Sequence, residues 1–149
     1  MNESTTYYLK PGDVIVIPLV EGSILGRIFK HYALCLGPIN GAELITQNTA
    51  QFGSVHCVEA SEFLNNLPNG SYVIANDFDE PTQQAIVNRA LAAQGIPYNI
   101  FTFNCEHFVR YALTGIASSG QVSNTLLAGV WLHCSMETVE NNLRASLVA

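Results

Sequence analysis

Hydrophobic and polar positions follow a period of two along the first half of the chain and helical spacing along much of the second. Residues 14–17, Val-Ile-Val-Ile, are apolar on both faces and stop at Pro18, a buried-strand pattern ended by a residue that cannot donate to a ladder. Residues 31–37 predict a second strand. Period two puts His31, Ala33 and Cys35 on one face and Tyr32, Leu34 and Leu36 on the other. Both faces are mostly apolar, so this strand belongs in the middle of a sheet. Residues 38–41 read as a hairpin turn returning through 42–47, where Glu43, Ile45 and Gln47 share one face and Leu44 and Thr46 the other. Residues 54–58 and 72–75 are further strand-like runs, and 61–67 predict one or two helical turns stopped by Pro68-Asn69-Gly70.

Helical spacing takes over next. Asp77-Phe78-Asp79-Glu80 places negative charge ahead of Pro81, as the first turn of a helix favours. This helix is predicted to reach Gln94 and stop at Gly95, with Ile86, Ala90 and Ala93 as an apolar line beside Val87 and Leu91. A second helix opens after Asn104, a good N-cap, and carries Phe108, Val109, Ala112 and Leu113 on one side. After a break at 115–120, residues 121–145 read as a last helix or helix pair bearing Val122, Leu126, Leu127, Val130 and Trp131. Strands followed by helices predict an α+β fold, an antiparallel sheet with packed helices. The chain reads as one domain over 1–149, with a core at about 8–125 and a C-terminal helical extension at 126–149.

Composition narrows the partners. Charged residues make up 12% of the chain and the net charge is −6, with six Lys and Arg in all. That excludes a basic nucleic-acid surface and a polybasic lipid patch. Cysteines stand at 35, 57, 105 and 134, and no charged start followed by an apolar run marks a signal peptide. The expectation is a cytoplasmic setting with free thiols. The longest late apolar run, residues 126–134, is far short of the about twenty residues a membrane span needs. The His56-Cys57 and His133-Cys134 pairs lack zinc-ligand spacing, so neither metal nor cofactor is expected.

The candidate chemistry centres on Asn104-Cys105-Glu106-His107-Phe108-Val109. Cys105 falls at the first helical position, where unpaired N–H groups and the helix dipole favour a thiolate. The bland reading is a buried cysteine at the start of a core helix. As a nucleophile, Cys105 needs a base with an orienter behind it. His31 opens the central strand as the only polar side chain on its face, and is the candidate base. His107, two residues from Cys105, points elsewhere on the helix and is expected to be structural or supporting. The hairpin brings Gln47 near His31 as a neutral orienter. Glu43, about 13 Å along the same strand at ~3.3 Å per residue, and His56 are the competing orienters. The Cys105 N–H is a candidate oxyanion donor.

Lys10-Pro11-Gly12-Asp13-Val14-Ile15, His31-Tyr32-Ala33-Leu34-Cys35-Leu36-Gly37, the Asn104–Val109 hexapeptide, and Gly115 with Ser119-Gly120-Gln121-Val122 occur in this order. Together they resemble the lecithin:retinol acyltransferase (LRAT)-like domain of the permuted NlpC/P60, papain-like group, over about residues 8–125. The resemblance implies a cysteine acyl-transfer site, with Cys105 as nucleophile and His31 as base, that takes an acyl group from a phospholipid or other lipid ester through an acyl-thioester. The best-known acyltransferases carry a second histidine on the strand after the turn; here Gln47 in Leu44-Ile45-Thr46-Gln47-Asn48 occupies that place. That departure counts against lipid chemistry more than against thiol chemistry; the resemblance as a whole still implies a lipid or acyl substrate. Residues 24–29 and 126–145 are candidate contacts with a membrane surface or a protein. The alternatives are a cysteine amidase or protease of NlpC/P60 type and a non-catalytic binding module.

Overall fold

The computed structural model describes residues 8–19 and 30–116. Among them are five strands: β1 (Val14–Pro18), β2 (Lys30–Ile39), β3 (Ala42–Asn48), β4 (Val55–Glu59) and β5 (Tyr72–Ile74). They form an antiparallel sheet in the order β4-β3-β2-β1-β5. Three helices accompany it: α1 (Ala60–Asn65), α2 (Glu80–Ala92) and α3 (Cys105–Thr114). The fold is α+β, and β2 is the central strand, as its two apolar faces require.

Each face of β2 is buried by different neighbours. Tyr32, Leu34 and Leu36 join Val14 and Val16 under α2 and α3, packing with Ile86, Val87, Ala90, Phe108, Val109, Ala112 and Leu113. Ala33 joins Ile15 and Ile45 on the opposite face, where Phe63 and Leu64 of α1 cover them. Leu91, expected beside the α2 apolar line, is partly out in solvent.

The hairpin between β2 and β3 is tighter than the sequence pattern predicts. Pro38 and Ile39 stay in β2, opposite Glu43 and Ala42, after an irregularity between Cys35 and Gly37. The turn falls on Asn40 and Gly41, both with positive φ, the residue pair that suits a two-residue hairpin turn. Gly37 also has positive φ, and a side chain there would meet Pro11 Cγ at 2.8 Å. The Lys10–Asp13 turn is thus packed directly on the central strand. No helix among the described residues is long and apolar enough to cross a membrane. The predictions for residues 20–29 and for the segment after 116 lie outside the described residues.

Candidate active site

Helix α3 begins where its N-cap dictates. Asn104 accepts the backbone N–H groups of Glu106 at 3.0 Å and His107 at 3.1 Å through Oδ1. Its own N–H donates to His107 Nδ1 at 3.0 Å, closing a reciprocal capping box. His107 is thereby committed to the helix start. Burial holds its pKa below the ordinary value, against the pull of Glu106. At the far end Gly115 closes the helix in the left-handed conformation, φ 80°.

This frame puts Cys105 first in α3 and buries it, 8% exposed. Its Sγ lies 3.9 Å from the Lys30 carbonyl oxygen, and the Tyr32 N–H is also directed to it. Lys30 and Tyr32 are the residues on either side of His31. The β2–β3 ladder ends at Ala33–Gln47, and the thiol packs against the stretch of β2 that runs on past that pair. Burial pushes the Cys105 thiol up to about 11, with Glu106 adding to the rise. The N–H groups of Tyr32, Glu106 and Cys105 oppose it. The helix-start effect expected from the sequence is present, but desolvation outweighs it and the resting group is a neutral thiol.

His31, Gln47 and His56 come from three adjacent strands. Ala33, Gln47 and His56 lie side by side across β2, β3 and β4, and His31 stands two residues along β2. His31 Nε2 is 2.7 Å from Gln47 Oε1, and Gln47 Nε2 is 3.3 Å from His56 Nε2. His56 Nδ1 donates to the Ser54 carbonyl at 2.9 Å, and its ring stacks on Phe52 at 3.9 Å between centroids. Burial lowers the His31 pKa, and His56 lowers it further against the supporting bond from Gln47. Burial thus disfavours the charged forms of both Cys105 and His31.

The structure brings His31, Gln47 and His56 together and sets the Cys105 thiol against the backbone around His31. Among the described residues no hydrogen bond joins Sγ to His31; the engaged ring nitrogen is Nε2, which leaves Nδ1 open. Glu43 is exposed at the other end of β3, opposite Pro38. Sequence reasoning missed Asn48. Its Nδ2 donates to the carbonyls of Phe103 at 2.7 Å and Asn104 at 3.4 Å, tying the end of β3 to the residues just before Cys105. Its place next to Gln47 was the available signal, since period two turns it toward the helices. No group of three or more His, Cys, Asp or Glu among the described residues could hold a metal.

A comparison with curated proteins finds no match. The family model for lecithin retinol acyltransferase matches residues 7–118, a span that takes in β1 through α3 and every residue of the arrangement above. On that match the chain belongs to the lecithin retinol acyltransferase family.

Proposed function

We propose that the protein moves acyl groups through a thioester on Cys105, taking them from a phospholipid or other lipid ester and passing them to water or a second acceptor. Family membership implies a thiol acyltransferase-type function. The observation that carries the residue assignment is the 2.7 Å bond from His31 Nε2 to Gln47 with the thiol packed against Lys30 and Tyr32. In this reading Nε2 bears the hydrogen and Nδ1, the ring nitrogen nearer the backbone, bears the lone pair.

Starting from a neutral pair, His31 Nδ1 takes the Sγ proton as sulfur attacks the ester carbonyl. Gln47 Oε1 steadies the imidazolium that forms, less strongly than a carboxylate would. The Asn104 side chain caps the N–H groups of Glu106 and His107 and not that of Cys105, so the Cys105 N–H is the donor for the oxyanion. Collapse of the tetrahedral intermediate breaks the carbon–oxygen ester bond. The leaving alkoxide takes the proton from His31 and departs as an alcohol. Water or the second acceptor then gives its proton to His31 and attacks the thioester, and the departing thiolate recovers that proton.

A greasy substrate is supported by the rim beside the site. Phe52, Ile96, Ile100 and Phe101 are exposed, and the two loops that carry them are joined by the Ser54–Pro97 bridge and by the Tyr98 N–H to the Gly53 carbonyl at 2.9 Å. No Asp, Glu, Lys or Arg occurs in residues 48–58 or 90–105. The non-catalytic reading draws on the buried thiol at about 11. Intact-mass measurement of wild type and Cys105→Ala, after exposure to short- and long-chain phosphatidylcholine and to an activated ester, separates the readings. Expected is a hydroxylamine-sensitive acyl adduct, or ester consumption, on wild type alone. Normal turnover by Cys105→Ala, or neither adduct nor turnover by wild type, would overturn the proposal.

A further inference from the structure

We infer that His56 is a positioning residue that fixes the proton on His31 by orienting the Gln47 amide. The inference rests on the proposed pairing of His31 with Cys105. One atom in this row has an unambiguous role. The Ser54 carbonyl oxygen, 2.9 Å from His56 Nδ1, has no hydrogen to give, so Nδ1 carries one. The Gln47 NH₂ lies 3.3 Å from the other nitrogen, Nε2, and can only donate, so His56 Nε2 is the acceptor and holds the lone pair. With NH₂ turned to His56, Oε1 faces His31 at 2.7 Å and requires a hydrogen on His31 Nε2. The lone pair of His31 is left on Nδ1, the position a base for Cys105 needs. Without an acceptor at His56 the amide is free to turn over. An NH₂ facing His31 Nε2 would draw the imidazole hydrogen to Nδ1, where it cannot accept the thiol proton.

His56 is itself held on three sides. Phe52 stacks on its ring, Ser54 holds Nδ1, and the Thr46 hydroxyl donates to its backbone carbonyl at 3.1 Å while accepting from Gln94 Nε2 at 2.9 Å. A ring fixed this firmly can direct a neighbouring amide.

Two measurements test this. In the wild-type protein, long-range proton–nitrogen NMR should find the His31 hydrogen on Nε2 and the His56 hydrogen on Nδ1; either opposite tautomer overturns the inference without any variant being made. The second is the rate of iodoacetamide labelling at Cys105, resolved by peptide mass, at pH 7 in folded variants. His56→Phe keeps an aromatic ring against Phe52 but offers no acceptor, and should slow labelling about tenfold. His56→Gln restores an acceptor and should recover most of the rate. In a Gln47→Glu background there is no amide to orient, so adding His56→Phe should change the rate less than about twofold. Equal losses in both backgrounds would mean that His56 only supports the fold, and an unchanged rate in His56→Phe would remove it from the site. His31→Ala is the control for the underlying reading: if it labels as fast as wild type, the His31–Cys105 pairing fails first.

Discussion

Two polar clusters are built into this sheet, and they differ in what fills their hydrogen-bonding capacity. Around Asp13, which is 1% exposed, the partners are mostly backbone and amide groups. Oδ1 accepts from the Asn76 backbone at 2.8 Å and from its side chain at 2.6 Å; Oδ2 accepts from the Lys10 N–H at 2.9 Å. The Asp13 carbonyl accepts the Cys35 N–H at 2.8 Å, so one residue ties the start of β1 to β2 and to the segment after β5. Every one of these donors is an amide that does not exchange roles. At the other cluster, His31, Gln47 and His56 form a row of side chains whose donor and acceptor roles are interchangeable, ending at an open ring nitrogen. A cluster saturated by amides serves as a frame. In the proposed reaction, a row that ends at an open ring nitrogen is where a proton would move.

The contrast is broken most directly at Asp13. Asp13→Ala strands the buried backbone and side-chain amides of Asn76, removes the acceptor of the Lys10 N–H, and should cost about 3 kcal/mol of stability in urea unfolding, with activity per folded molecule unchanged. A variant that unfolds like wild type would deny the cluster its framing role. Alkaline pH comes next. The folded Cys105 thiol ionises only at about 11 against an ordinary value of 9.0, and Cys35 behaves alike, again through burial. The unfolded chain releases these protons first, so this stability is complete below pH 9 and is lost as pH rises toward about 11. The loss is on the order of 2 kcal/mol per thiol, and Cys105→Ala should remove its share from the pH-dependent melting curve. On the acid side, burial lowers the pKa of His31, so stability should fall as pH drops below ~6.5.

Gln47→Ala sharpens the comparison from the other side. It should lower the rate of Cys105 acylation about tenfold, roughly 1.4 kcal/mol in the barrier, while shifting the melting temperature little; the reverse pattern would make Gln47 part of the frame. The smallest effect belongs to Glu43→Gln. Exposed at the far end of β3, it should leave both stability and acylation within about 0.5 kcal/mol of wild type, and a larger loss of rate would reopen Glu43 as an orienter.

What the sequence made legible was local. The Asn104 cap, the Gly115 stop and the place of Cys105 at the helix start depend on neighbours within a turn. The pairing of His31 with Gln47 was also legible, because a tight hairpin fixes register over a short distance. His56 was legible only as a competing orienter of His31 and not as the partner of Gln47, since its approach to Gln47 depends on how the 49–54 loop returns β4 to the sheet. Asn76 and Asn48 act across 63 and 55 residues, where periodicity carries no information. The rise of the Cys105 pKa was hidden for a related reason: burial is a property of the packed fold, while the cap that opposes it is written in the adjacent sequence.

Asn48 carries one further consequence. Its amide grips the carbonyls on which the Cys105 turn hangs, and Gln47, the next residue, holds the His31 ring. Thiol and imidazole are thus suspended from a single pivot. When the end of β3 swings in thermal motion, both should ride with it, so their separation varies less than the position of either one.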